Sequence, residues 1–569
     1  MKKSIFLFAA IFILGIKLFS QTPSWMWAES SGGTLVDEGN AITTDVAGNV
    51  YAAGYFTSPV ITFGTKTLVN CDSTGSSANV YVVKYAPNGN VIWARTLNDN
   101  GSDFANGITT DSHCNVYVTG EFDSDTIYFG VSTLINYGGG DIYVAKFDSS
   151  GNALWAKGAG GTNTDYGSSV ATDTTGNVLV TGTFVSMTIN FDTIVLRNKG
   201  GGCCAEDIFI AKYTSVGNLL WAKSAGGTGS DYGRGIAADI AGNSYITGQF
   251  SSPLIEFGND TISNNANLVG AKLLTSDVFI ANYDPNGNLV WAKGAGGVLN
   301  DYACGIAAVN SDVYITGAFD SDTATFDTVQ MVKSFISGGC NVFVIKYDTS
   351  GNALWARQPQ CEKIAGDNIG YNINATSDGK LNLTGTFSDS VVTFGSSSLL
   401  NAGYTDIFVA QYDNSGNALW AIGAGSINND YSNGITTDAN GYMYITGYFE
   451  DSTIVFGSTP PLVNAGGTYN PPDIFVAKIN PGSTVGVVTK PEQNTNMVTV
   501  YPNPANSAFF VGVPASSTDI NIYNSLGQIV VHTKVSGESK ESFSLTESGI
   551  YFISVSTTKE IITKKIVVY

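Results

Sequence analysis

Three observations predict an all-β fold. Glycine is abundant (66 of 569 residues) with no collagen-like triplet period, and aromatic residues reach 12%, a mixture suited to short strands and tight turns. Tryptophan followed by alanine falls at Trp27, Trp93, Trp155, Trp221, Trp291, Trp355 and Trp420, at spacings of 66, 62, 66, 70, 64 and 65 residues. Two strand-like strings keep the same beat: "NVYVTGEF" (Asn115–Phe122) with its relatives, and "DIYVAKF" (Asp141–Phe147) with its own. A repeat of this length built from β-branched and aromatic segments is the mark of a repeated small sheet.

Within one unit the elements follow in order. A first strand such as "GIAAD" (Gly235–Asp239) leads through a turn to "NSYITGQF" (Asn243–Phe250). A variable stretch follows, often with an I-x-F triplet such as Ile255–Phe257, and is expected to add a hairpin. "DVFIANY" from Asp277, the turn "DPNGN" (Asp284–Asn288) and the strand "LVWAK" complete the unit. Asn-Gly and Ser-Gly at these turns supply the positive φ that tight hairpins need, and the tryptophan that follows is expected to fill the same layer of each sheet. Repeated antiparallel sheets of four strands are the blades of a β-propeller, which hide both faces against their neighbours. The motifs predict seven blades over residues 22–480. The last "DIFVAKI" (Asp473–Ile479) has no tryptophan strand after it, whereas "SWMWAES" (Ser24–Ser30) stands alone at the start. Pairing these two would close the ring with strands from both ends and cover an exposed edge.

The strings "GNxxWAK", "DIFVAKY" and "GNxYxTGxF" resemble the repeats of the bacterial seven-bladed β-propeller (SBBP) family, over roughly Trp25 to Asn480. That resemblance implies the propeller and a scaffold role of undefined ligand specificity.

Residues 1–20, with Lys2, Lys3 and an apolar run from Ile5 to Ile16, have the layout of a secretory signal peptide. The later sequence holds no apolar run of membrane-spanning length, so no transmembrane helix is expected in the mature chain. A net charge of −20 would repel a phosphate backbone, which excludes nucleic acid as the expected partner. Seven cysteines without a CxxC pair, and only two histidines (His113 and His532), give a zinc site and a catalytic triad little to build on.

Residues 481–496 have the Pro, Gly, Thr and Asn content of a linker, and residues 497–569 predict a small β-sandwich. The landmarks Tyr501-Pro502-Asn503-Pro504, Gly527-Gln528, Gly549-Ile550-Tyr551 and Lys564-Lys565 resemble the type A sorting domain of the type IX secretion system. By that resemblance the module is an address tag read by the type IX secretion machinery, and the protein is secreted or held on the outer-membrane surface of a Gram-negative bacterium. The alternative is a generic immunoglobulin-like accessory domain.

The most regular polar feature is an acidic residue before the first strand of a unit, followed in five units by an aromatic: Asp103-Phe104, Asp165-Tyr166, Asp231-Tyr232, Asp301-Tyr302 and Asp430-Tyr431. Asp37 and Asn368 occupy the equivalent positions of two further units. One interpretation is a channel-mouth ring of carboxylates and aromatics that stacks on sugars or holds a cation. The other, favoured by repetition in every blade, is that each Asp accepts backbone N–H bonds and ties blades together. No cofactor is expected; Ca²⁺ has no EF-hand-like loop to support it, and no metal site is expected. Inserts such as Asn136–Gly140, Asn198–Glu206 and Asn264–Ser276 should emerge on one face, where Cys340 and Cys361 are candidates for a disulfide. Cys203 and Cys204 are either a vicinal bridge or two thiols. The expected function is an exported propeller scaffold for binding or adhesion to a glycan or surface protein. The alternative is a propeller-based glycoside-processing enzyme that uses carboxylates.

Overall fold

The computed structural model describes residues 22–97, 100–201, 205–265, 275–333, 339–362, 366–466, 471–482, 498–501, 508–513, 517–524, 527–535, 539–557 and 561–568. The expected signal peptide, most of the expected linker, Pro502, Asn503, Pro504, Cys203 and Cys204 lie outside the described residues. Every secondary-structure element described with its bounds is a β-strand. Chain contacts divide the protein into two compact units, residues 1–484 and 485–569.

The first unit is propeller-like. Its opening strands are β1 (Ser24–Ser31), β2 (Asp37–Thr44), β3 (Val50–Phe56), β4 (Val60–Phe63), β5 (Lys66–Val69), β6 (Asn79–Tyr85) and β7 (Val91–Leu97). The first sheet has the order β2-β3-β6-β7, all antiparallel, and the insert between β3 and β6 forms the β4-β5 hairpin. Following repeats use the same four-strand order. All seven residues of β6 are buried, as expected for an inner strand covered on both faces. Its even positions pack one way and its odd positions the other: Val80 and Val82 join Val118, Phe122 and Tyr143 of the second sheet, whereas Tyr81 and Val83 pack with Tyr444, Ile474 and Val476 from the end of the unit.

β1 does not join the sheet that follows it. It pairs antiparallel with Asp473–Asn480, from Ser24 opposite Asn480 to Ser31 opposite Ile474, as the outer strand beside Met443–Phe449 and Asp430–Thr437. Further bonds link this last sheet to the first. Asn433 donates from Nδ2 to the Gly39 carbonyl at 3.0 Å, and Lys478 donates from Nζ to the Pro87 carbonyl at 2.9 Å.

The recurring tryptophan lies on the turn of the following repeat. In Gly151 (φ 79°) the backbone is left-handed, and a Cβ there would sit 3.0 Å from the Trp93 ring, so glycine serves both the turn and the ring above it. The Trp93 indole N–H then donates to the Ser149 carbonyl of the same turn at 3.1 Å. Trp27, Trp155, Trp221, Trp291 and Trp355 repeat this bond to Pro87, Ser215, Pro285, Thr349 and Asn414. Trp420 donates to Gln411 Oε1 instead. The expectation of a common layer is thereby refined: Trp93, Trp221 and Trp291 are buried, whereas Trp155, Trp355 and Trp420 are half-buried.

The second unit is a pair of antiparallel sheets. Thr499–Tyr501, Ala508–Val513 and Ser539–Ser544 form one; Ile529–Lys534, Ser517–Tyr523, Gly549–Thr557 and Ile561–Val568 form the other in that spatial order. Phe509, Val511, Ile520, Ile522, Ile553 and Ile566 fill the space between them. Gly527 takes φ 77° in the hairpin turn that begins at Asn524, and the buried Tyr551 donates its hydroxyl to the Glu547 carbonyl at 2.9 Å. Gly549 pairs with Val568, and Lys564 and Lys565 lie opposite Ile553 and Phe552 on the last strand.

Candidate functional site

The structure separates the two halves of each Asp–aromatic pair. The carboxylates of Asp103, Asp165, Asp231, Asp301 and Asp430 are fully buried and turned into the protein, not toward a channel mouth. Asp165 accepts from the Val185 and Ser186 amides at 2.9 and 3.0 Å and from the Ser186 hydroxyl at 2.7 Å. Ser124, Ser252 and Ser321 hydroxyls serve Asp103, Asp231 and Asp301 in the same way, and Ser426 serves Asp430. The carboxylate half of the predicted binding ring is therefore corrected: these side chains saturate backbone donors that would otherwise be buried without acceptors. In the sixth repeat Asn368 takes the position and donates to Asp389.

A second buried carboxyl stands beside most of them. Asp141, Asp207, Asp277, Asp406 and Asp473 open the third-motif strands, and each is adjacent to the first-strand Asp of the next repeat. Burial, with little water to solvate a charge, pushes Asp141, Asp207 and Asp473 up to about 7 and Asp277 up to about 8. Burial likewise raises Asp165 and Asp301 to about 6 and Asp231 and Asp430 to about 7, against the downward pull of their hydrogen bonds. No group of three or more His, Cys, Asp or Glu suited to a metal occurs among the described residues.

Two of the five aromatic halves face open space, whereas Phe104, Tyr232 and Tyr431 are not among the cavity-lining residues. Tyr166 and Tyr302 line a cavity of about 930 Å³, together with Glu121, Gln249, Asn300 and Thr164. The Asn136–Gly140 insert abuts this region, since a Cβ on Gly139 would meet Thr164 at 2.9 Å. A narrower space of about 190 Å³ continues from the cavity between the first strands of the repeats. Both spaces share a ring of seven side chains: Asn40, Asn106, Ser168, Arg234, Cys304, Tyr371 and Asn433.

Each ring residue is the extra residue of a β-bulge. In the first repeat Gly39 pairs with Gly54 and Ala41 with Ala53, which leaves Asn40 unpaired and turned out of the ladder; the same shift recurs around each of the other six. The glycine of each "TGxF" string lies opposite the bulge. A Cβ on Gly248 would strike the Tyr232 carbonyl, which explains a glycine inside a strand.

The ring has a structural side and a chemically varied side. Asn40, Asn106 and Asn433 each donate at 3.0 Å to a backbone carbonyl of the next repeat, Ala105, Gly167 and Gly39. Ser168, Arg234, Cys304 and Tyr371 break that pattern. Arg234 is exposed, stands 5.2 Å over the Tyr232 ring, and forms no ion pair among the described residues. Burial raises the Cys304 thiol to about 11, with Arg234 pulling the other way. Glu121 is the one carboxylate among the cavity-lining residues, and burial beside Asp123 and Asp103 raises it to about 7. Neither Glu121 Oε2 nor Ser168 Oγ has a hydrogen-bond partner among the described residues. Aromatic rings gather elsewhere around the first strands: Tyr431 stacks on Tyr448 at 4.9 Å, and Tyr55 meets Phe104 edge-on at 4.8 Å.

Cys340 and Cys361 are both free thiols, which corrects the predicted disulfide. Both are buried and share Asn368: the Cys340 thiol approaches its carbonyl at 3.8 Å, and its side-chain amide donates to Cys361 Sγ at 3.5 Å. Each sulfur already has a partner in the packed interior.

Comparisons with known proteins agree with this organisation. Residues 499–569 match the family model described as a secretion system C-terminal sorting domain. Residues 92–124 and 220–249 match the model described as a beta-propeller repeat. Propeller repeats thus precede a sorting domain of the kind that marks exported proteins. The chain is 25% identical over 516 residues to the uncharacterized WD repeat-containing protein L264 of Acanthamoeba polyphaga mimivirus, covering 76% of this chain and 36% of that protein. It is 27% identical over 148 residues to the regulatory protein FlaEY of Caulobacter vibrioides, covering 26% of this chain and 14% of the other. The chain therefore spans about a third or less of these relatives. Among solved structures, Sqt1 from Chaetomium thermophilum matches at 11% identity and TM-score 0.35, over 78% of this chain and 88% of that one. A puromycin hydrolase mutant matches at 10% identity and TM-score 0.36, over 85% of this chain and 59% of that one. No described helix is long and apolar enough to cross a membrane.

Proposed function

We propose that the chain is an exported binding scaffold: a seven-bladed propeller closed by its two ends, which presents its axial cavity to a glycan or surface-protein ligand. The type IX route delivers it to the outer surface or beyond. The β1 pairing with Asp473–Asn480, the Asn433–Gly39 bond and the core shared by Val83 and Tyr444 support closure. The match over residues 499–569 supports the route.

The observation that carries the binding role is the bulge ring. One backbone device is repeated in every blade, yet on one side it presents Ser168, Arg234, Cys304 and Tyr371, chemistry that the fold itself does not require. A hydrolytic role has less support, because glycoside hydrolysis commonly uses two carboxylates across the scissile bond and Glu121 stands alone among the lining carboxylates.

Incubation with a polysaccharide panel separates the two. Retention without new reducing ends is expected; release of reducing ends would replace binding with catalysis. Removal of residues 498–569 is expected to abolish appearance at the cell surface and leave the protein in the periplasm, as read by surface proteolysis and fractionation. Undiminished surface display of the truncated chain would overturn the assigned route.

A further inference from the structure

The geometry points to a carboxylate-bearing saccharide as the ligand of the axial cavity, with Arg234 as the residue that selects the acid. This deepens the binding role proposed above and rests on it.

The argument begins with charge. In a protein of net charge −20, an arginine that forms no ion pair among the described residues, at the neck of a cavity, is out of keeping with its surroundings. It arises at the bulge position, where three other repeats place asparagines that bond to the neighbouring backbone. Arg234 makes no such bond, so closing the blades does not account for it. Its guanidinium rests on the Tyr232 ring at 5.2 Å, which limits its rotamers while leaving its planar N–H fork for a ligand. A carboxylate matches that fork with two parallel hydrogen bonds.

Single charge follows from the rest of the lining. Arg234 is the one cation among the lining residues, and no lysine accompanies it. A phosphate dianion would carry one charge more than the site neutralises, into a strongly acidic protein. A carboxylate pairs one to one with Arg234, and burial, which raises Glu121 to about 7, keeps that lining carboxyl largely protonated below neutral pH.

The saccharide part follows from three further features. The Tyr166 and Tyr302 side chains line the same cavity and offer aromatic surface to the C–H faces of a pyranose. The half-buried Glu121 and Ser168 side chains line it too, and Glu121 Oε2 and Ser168 Oγ, which have no hydrogen-bond partner among the described residues, suit ring hydroxyls that both donate and accept. Asn300 and Gln249 add carboxamides to the wall. The volume, about 930 Å³, lies at the upper end of the range for small-ligand sites.

The test uses the full mature chain and calorimetric titration with trimers of galacturonate, glucuronate and mannuronate, each paired with its carboxyl-reduced neutral counterpart. The wild-type protein is expected to bind at least one acidic trimer about tenfold or more tightly than its neutral partner. Arg234→Gln should remove that preference with an unchanged melting temperature, and Arg234→Lys should keep part of it. Equal affinity for acid and neutral forms in all three series would overturn the inference while leaving a glycan-binding scaffold. A preference that survives in Arg234→Gln would place the acid site elsewhere and overturn it too. Displacement of the trimer by an equal concentration of inorganic phosphate would reduce the site to a bare anion site. Failure to bind any trimer would also sink the inference, while a protein ligand would remain open to the scaffold.

Discussion

Trp221→Ala lowers the stability of the N-terminal unit by about 3–5 kcal/mol, the cost of emptying a large buried aromatic site. The Trp221 ring is 7% exposed, lies against the turn glycine Gly287, and stacks on Tyr283 at a centroid distance of 6.4 Å. Its N–H also satisfies the Pro285 carbonyl at 3.1 Å, so truncation both opens a cavity and strips an acceptor of its donor. Neighbouring strands are held by continuous ladders and cannot collapse into the gap, which keeps the cavity term large. Trp355→Ala, at a half-buried ring with the same bond to Asn414, is expected to cost about half as much or less. Urea unfolding of both variants against wild type measures the difference. A loss below about 1 kcal/mol at Trp221 would mean that the recurring ring adds little to packing.

Stability is expected to rise as the pH falls from 8.5 to 5. The buried carboxyls Asp141, Asp207, Asp231, Asp277, Asp430 and Asp473 are held up at about 7 to 8, mainly by desolvation. Between about pH 4 and pH 8 the folded chain therefore keeps protons that the unfolded chain has released. The contribution is complete below the unfolded values and is lost as the pH rises through the folded ones. Turn aspartates oppose this at the acid end. Against the upward push of burial, bonds from Asn152 and Ser150 hold Asp148 below its ordinary value, and Asn288 and Asn286 do the same for Asp284. Their contribution disappears as the pH falls below about 4, so the optimum lies near pH 4 to 6.

A gain of about 5 °C or more in melting temperature between pH 8.5 and 5 is expected for a unit of this size. The chain itself indicates the corresponding substitution, because Asn79 and Asn341 already occupy this position in two repeats and carry no charge to desolvate. Asp277→Asn should stabilise the protein at pH 8.5, leave it nearly unchanged at pH 5, and flatten the profile. A melting temperature that rises steadily from pH 5 to 8.5 would show these carboxyls to be ionised and well solvated.

Much of the local design was legible in the letters. The turn glycine, the tryptophan, the inner strands and the odd strand at each end all follow from periodicity, because a sheet buried on both faces must repeat its apolar pattern. The candidate site was legible only in part. The Asp–aromatic pairs drew attention because they recur, yet recurrence marked the Asp as part of the frame, and burial removed its carboxylate from any ligand. The bulge residues were missed because they share no residue type. A signal was present in the glycine of each "TGxF": a glycine inside an otherwise β-branched strand announces a bulge opposite, and its partner three residues after the Asp was the position to read.

Sequence alone determined the all-β class, the length of the repeat and the sorting-type module at the end, since each depends on local chemistry and spacing within a few dozen residues. Tertiary structure decided which side chains meet. Only when the first strands converge do seven residues, scattered from Asn40 to Asn433, come to line one space, and only then does Arg234 stand in a cavity with no ion pair among the described residues. The cause is that a bulge turns a side chain according to the pairing of its strand, and pairing is a property of the folded sheet rather than of the residue.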